Sequence, residues 1–128
     1  MIQMRYLCVL AGGAAGSLLR YLAGIAITSR WTGSFPLATF LINVTGSFGI
    51  GVLATVLASS SNPNWRPLLI TGLLGGYTTF SAFEWETLSA VRGGFSGIAL
   101  LYALGSVALG YLACWLGTLT ATLLFDRP

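Results

Sequence analysis

Along the chain, long apolar stretches alternate with short polar joints. Four stretches emerge, from about Ile2 to Thr28, Phe35 to Ser60, Pro67 to Val91 and Gly94 to Phe125. Each reaches or exceeds the roughly 20 residues that a helix needs to cross a hydrocarbon core of about 30 Å. The last is long, but at about 1.5 Å per residue it makes one tilted crossing of roughly 45–50 Å rather than two crossings with a turn. Pro36 falls in a first helical turn, where its missing N–H breaks no bond. The joints run from Ser29 to Ser34, from Ser61 to Arg66 (Ser-Asn-Pro-Asn-Trp-Arg, a turn composition) and over Arg92-Gly93. The pattern predicts an all-α membrane protein with a single four-helix domain over residues 1–128.

One stretch breaks its own pattern. Gly75-Gly76-Tyr77-Thr78-Thr79-Phe80-Ser81-Ala82-Phe83 lies in the middle of the third. Glycine costs a helix interior about 1 kcal/mol, and β-branched threonine loses rotamer freedom there, so an interruption is expected at these residues. In lipid an unwound backbone survives only where protein or a polar cavity satisfies its carbonyls and amides. A break at membrane depth is therefore a candidate ion site, with carbonyls turned to a cation or amides to an anion. Phe80 and Phe83, three residues apart, point the same way if the helix resumes.

Composition agrees with the pattern. Of 128 residues 55% are hydrophobic and 7% charged, too little charge to cover a soluble domain. The net charge of +3 is spread without a basic run, which argues against nucleic acid as a partner. Histidine is absent, and Cys8 and Cys114 stand alone in apolar surroundings, as small core residues do. With no histidine, no activated nucleophile and no acidic metal cluster, an enzyme is not expected. No cleavage pattern follows the first apolar run, so that segment is expected to stay as an anchor.

With four crossings, Arg5, Arg66 and Arg127 share one side, while Arg30 and Arg92 lie on the other with Arg20 nearer to them. The balance leaves almost no positive-inside bias. It fits a small protein with few charges, or a protein that inserts both ways and assembles as an antiparallel two-fold dimer. Small residues at close-packing spacing, Gly12 with Gly16, Ser47 with Gly51, Gly72 with Gly76 and Ser106 with Gly110, predict a tight bundle.

The chemistry-bearing residues are few. Thr39, Asn43 and Ser47 form a polar stripe on the second helix. Asn43 has two N–H groups to offer an anion, or it makes an interhelical hydrogen bond. Tyr102, Ser106 and Gly110 share a face of the fourth helix, a water-filled path or a packing seam. The positive edges of the Phe80 and Phe83 rings could solvate a small anion. Arg20 either draws anions into a vestibule or pairs with Glu84 or Glu86, and the two glutamates otherwise mark the wet end of their segment.

These motifs resemble a known family. Gly12-Gly13-Ala14-Ala15-Gly16-Ser17 followed by Arg20-Tyr21, then Asn43-Val44-Thr45-Gly46-Ser47-Phe48, then the Gly75–Phe83 stretch, are similar in order and spacing to the Fluc/CrcB fluoride channels, over the whole chain. The resemblance implies a dual-topology antiparallel homodimer in a bacterial inner membrane, with two fluoride pores and a structural sodium ion on the two-fold axis. It places that sodium on the backbone carbonyls of Gly75 and Thr78, oxygen ligands that suit a hard cation. It puts the pore asparagine at Asn43, the pore phenylalanines at Phe80 and Phe83 with Thr79 and Ser81 beside them, and the polar track at Tyr102, Ser106 and Gly110. The activity it implies is passive export of fluoride, relieving fluoride toxicity. The chain departs from the family pattern at Ala82, where threonine is usual, so no pore hydrogen bond carries over to that position. Tyr77 is assigned no role.

A proton-coupled multidrug exporter can share the four-helix, dual-topology plan. It needs a membrane-embedded carboxylate, and none precedes Glu84 here. A structural subunit without transport is a further class, and it predicts no flux from purified protein.

Overall fold

In a computed structural model, residues 2–125 are described, Ile2 by its backbone alone; Arg127 lies outside them. Helices α1 (Ile2–Thr28) and α2 (Leu37–Val56) form the first two apolar segments. The third segment, the expected third crossing, is built in pieces: a π-helical segment Arg66–Leu74, α3 (Gly75–Tyr77) and α4 (Phe80–Arg92). The fourth is α5 (Ser96–Phe125), one uninterrupted helix. Helices α1, α2 and α5 are each long and apolar enough to span a bilayer.

The boundaries follow local chemistry. Helix α2 begins just after Pro36 and stops at Val56, short of the expected Ser60, as the chain enters the Ser-Ser-Ser-Asn-Pro run. Helix α4 closes with paired bonds from Phe95 N to Ala90 O at 2.8 Å and from Gly94 N to Val91 O at 3.1 Å. That closure needs a left-handed residue, supplied by Gly94 at φ 83°, which delays α5 to Ser96. The π-helical segment has no signal in the residue pattern.

Packing between helices in lipid depends on close backbone approach, since lipid tails are as apolar as side chains. A Cβ on Gly12 would meet the Leu68 carbonyl, and one on Gly16 the Leu73 carbonyl, so α1 lies directly on the wide π-helical turns. Helix α2 packs lengthwise on α5, with Gly51 against the Cys114 carbonyl. The third crossing changes partners part-way. Its π-helical segment and α3 lie on α1 and do not reach α5, whereas α4 lies on α5 and does not reach α1.

Candidate functional site

The interruption sits at Thr78-Thr79, both extended (φ −79°, ψ 161° and φ −152°, ψ 120°). The break thus falls inside the expected Gly75–Phe83 stretch, on its threonines and not on its glycine pair. Gly75 is helical at φ −63° and ψ −35°, and Gly76 is packed so tightly that an added Cβ would stand 2.6 Å from the Gly13 carbonyl. Gly76 serves the seam with α1, Gly75 lies exposed beside the groove, and the β-branched threonines carry the break.

The main-chain groups of the break are held from three directions. Thr78 N and Thr78 Oγ1 both donate to Leu74 O, at 2.9 and 3.0 Å, closing the end of α3. Asn43 of α2 grips the next residue at both ends: Thr79 N donates to Asn43 Oδ1 at 2.8 Å, and Asn43 Nδ2 donates to Thr79 O at 2.9 Å. A continuous helix would give that Thr79 amide to the Gly75 carbonyl, so Gly75 O loses its helical donor. From α1, Arg20 Nη1 donates to Thr78 O at 3.0 Å. Thr79 Oγ1 then caps α4 by accepting from Ala82 N at 3.3 Å.

Two of these contacts bear on alternatives the sequence left open, and Asn43 does make an interhelical hydrogen bond. One of Asn43's two N–H groups is engaged by Thr79, leaving one for anything else. Arg20 is bound to a carbonyl instead of Glu84 or Glu86. Glu86 has its own partners: Thr39 Oγ1 and Tyr102 Oη donate to its two carboxylate oxygens, each at 2.7 Å. Sequence reasoning missed this network. Thr39 was visible on the stripe with Asn43, and Tyr102 on its stripe of α5, but nothing in the spacing linked either to a glutamate.

Two cavities flank the break. One, of about 390 Å³, is an open groove walled by Asn43, Gly75, Thr78, Thr79, Phe80, Phe83 and Ser106, together with small and aliphatic neighbours. Phe80 is 72% exposed there, while Phe83 is buried with its ring centroid 5.6 Å from that of Phe80 and 5.0 Å from that of Tyr102. Among the described residues, Ser106 Oγ is a buried side-chain polar atom without a hydrogen-bond partner. The other cavity, about 560 Å³, is lined by Arg20, Tyr21, Thr28, Thr39, Thr79 and Ser81 among others. Thr79 borders both, so the break is the partition between an aromatic groove and a basic vestibule.

The remaining expected site residues sit apart from the groove. Tyr102 is fully buried behind Phe83, and Gly110 lies beside Ser47, whose Oγ would be 3.5 Å from a Cβ placed on it. Among the described residues no group of three or more His, Cys, Asp or Glu side chains could hold a metal ion. Any cation at the break would depend on main-chain and hydroxyl oxygens.

Comparison with known proteins places the chain among relatives. The family described as CrcB-like protein, Camphor Resistance (CrcB), matches residues 7–118. The chain belongs to the CrcB family. Within that family it is 53% identical over 120 residues to a protein of Solibacter usitatus (strain Ellin6076) named fluoride-specific ion channel FluC, covering 92% of this chain and 98% of the relative. It is 52% identical over 116 residues to a protein of the same name from Acidobacterium capsulatum, covering 89% and 93% of the two chains. A protein from Thermus thermophilus, also so named, is 46% identical over 114 residues, covering 88% and 90%. With its apolar spans, membership of the CrcB family makes the chain a multi-pass protein of the cell membrane.

Proposed function

We propose that the chain is a fluoride-selective channel that lets fluoride leave the cytoplasm passively, working as an antiparallel homodimer of dual topology. The observation that carries this reading is the groove at the broken crossing, where an exposed phenylalanine, a second ring, the Asn43 amide and an unpartnered serine hydroxyl converge. Fluoride holds its water tightly, so passage needs hydrogen-bonding substitutes arranged in a narrow site. Ring edges of Phe80 and Phe83, the free N–H of Asn43 and the Ser106 hydroxyl offer them without the strong grip of a full charge. Larger halides fit such a site poorly. In a single chain the groove is open, and a second copy laid against it would close it.

A structural sodium ion fits the Gly75 carbonyl, whose helical donor has gone to Asn43, and the second lone pair of the Thr78 carbonyl beside Arg20. One chain offers two such oxygens, and an inverted copy doubles them. When bound, the ion would supply positive charge that joins the two breaks.

Fluoride efflux from liposomes, followed with a fluoride electrode, tests the reading. Phe80→Ile and Asn43→Ala are expected to abolish most of the flux while the protein still assembles, and vesicles made without sodium are expected to lose it too. Undiminished flux in either variant removes that residue from the pathway, and undiminished flux in choline alone removes the ion. The same vesicles separate a proton-coupled exporter, for which the half-buried Glu86 is the carboxylate to consider. That reading requires cation uptake driven by a pH gradient, whereas a channel gives a fluoride current that needs none.

A further inference from the structure

The vestibule arginine is bonded to the break itself. Arg20 projects half-buried from the middle of α1, and its Nη1 donates to Thr78 O at 3.0 Å across 58 residues of sequence. The Glu86 carboxylate takes Thr39 and Tyr102 as its donors, and the guanidinium is oriented by a backbone carbonyl. The N–H of that same peptide and the next carbonyl, both of Thr79, are held by Asn43 of α2. Two helices thus clamp two consecutive residues, and the resumption of α4 at Phe80 follows directly.

We propose that Arg20 is a positioning residue: through the Thr78 carbonyl it fixes the extended backbone that aims Phe80 and Phe83 into the groove, beyond any attraction of anions by its charge. The inference rests on the channel reading for its flux readout, and on the geometry alone for its second readout. Guanidinium suits this task, because one nitrogen can hold the carbonyl while the others face the vestibule. A lysine at the same place keeps the charge but ends one bond sooner, short of the carbonyl.

The experiment compares wild type, Arg20→Lys, Arg20→Gln and the control Arg30→Gln, which removes a charge from the exposed joint after α1. Fluoride flux is measured against fluoride concentration at low and high ionic strength. Exchange of backbone amides is followed by mass spectrometry over residues 75–83. Attraction by charge alone predicts that Arg20→Lys conducts normally and that Arg20→Gln is rescued at high fluoride. Positioning predicts that both variants lose maximal flux by about tenfold, with half-saturation and salt dependence nearly unchanged. It also predicts faster exchange over 75–83 in both variants, the Thr79 amide included, while Arg30→Gln matches wild type in every respect. Normal maximal flux in Arg20→Lys, or wild-type exchange at the break in both Arg20 variants, overturns the proposal. So does failure of both to fold, which would assign Arg20 to global packing. If wild type itself conducts no fluoride, the channel reading falls, and the exchange comparison still decides whether Arg20 orders the break.

Discussion

Asn43 commits both ends of its amide to one residue of the broken crossing, and Arg20 commits a guanidinium nitrogen to the residue before it. The same economy of partners recurs at Glu86, whose carboxylate oxygens are each met by a hydroxyl from a different helix. A hydrogen bond to a charged group in a shielded position is worth more than one in water, and its loss leaves the acceptor poorly solvated. Tyr102→Phe keeps the ring packing against Phe83 and Phe35 but removes one of these donors. It is expected to lower unfolding stability in detergent by about 1–2 kcal/mol. Stability equal to wild type would show that the pair contributes nothing net. At this scale the sequence was legible for which residues matter and poorly legible for what they touch. Asn43 and Arg20 stood out because polar groups in apolar stretches are costly. Their shared target did not, because a backbone carbonyl leaves no trace in a residue pattern.

For the helices themselves, the four apolar helical segments could be read from hydrophobic length, three of them as single helices long enough to span a bilayer, and the interruption from threonine and glycine chemistry. Which residues of the stretch carry it could not be read, because two different tasks overlap in one motif. Gly76 is needed for contact with α1, Thr78 and Thr79 for the change of direction, and composition alone cannot assign the duties. The π-helical segment was illegible for a similar reason: its backbone lies against Gly12 and Gly16 of α1, a relation between elements far apart in sequence. Neighbouring glycines on α1 make the point testable. Gly12→Ala drives a methyl group into the Leu68 carbonyl, which cannot move without shifting the third crossing. Gly13→Ala meets nothing within 4 Å. The first substitution is expected to cost about 2 kcal/mol or more, with loss of recoverable protein. The second should be neutral or slightly stabilising, because alanine is the better helix former. Equal behaviour of the two in thermal denaturation would contradict the seam.

At the level of the whole molecule, the sparse and balanced arginines bear on how the proposed dimer is made. Insertion without strong orientation would supply both topologies from one sequence. Ser61→Lys with Asn62→Lys biases one side, and Thr32→Lys with Ser34→Lys the other, all at exposed joint positions. Each double variant expressed alone is expected to lose fluoride resistance and vesicle flux, and co-expression of the two should restore both. Full activity of either one alone would rule out an obligate inverted pair.

The third crossing leaves α1 for α5 at its two threonines, and this has a mechanical consequence. Each half of the segment is packed on a different main neighbour, so if α1 were tilted on α5 the change would gather into a few backbone torsions at that joint. A small rotation there swings the ring of Phe80 at the end of a short lever, whereas the helices on either side need hardly bend.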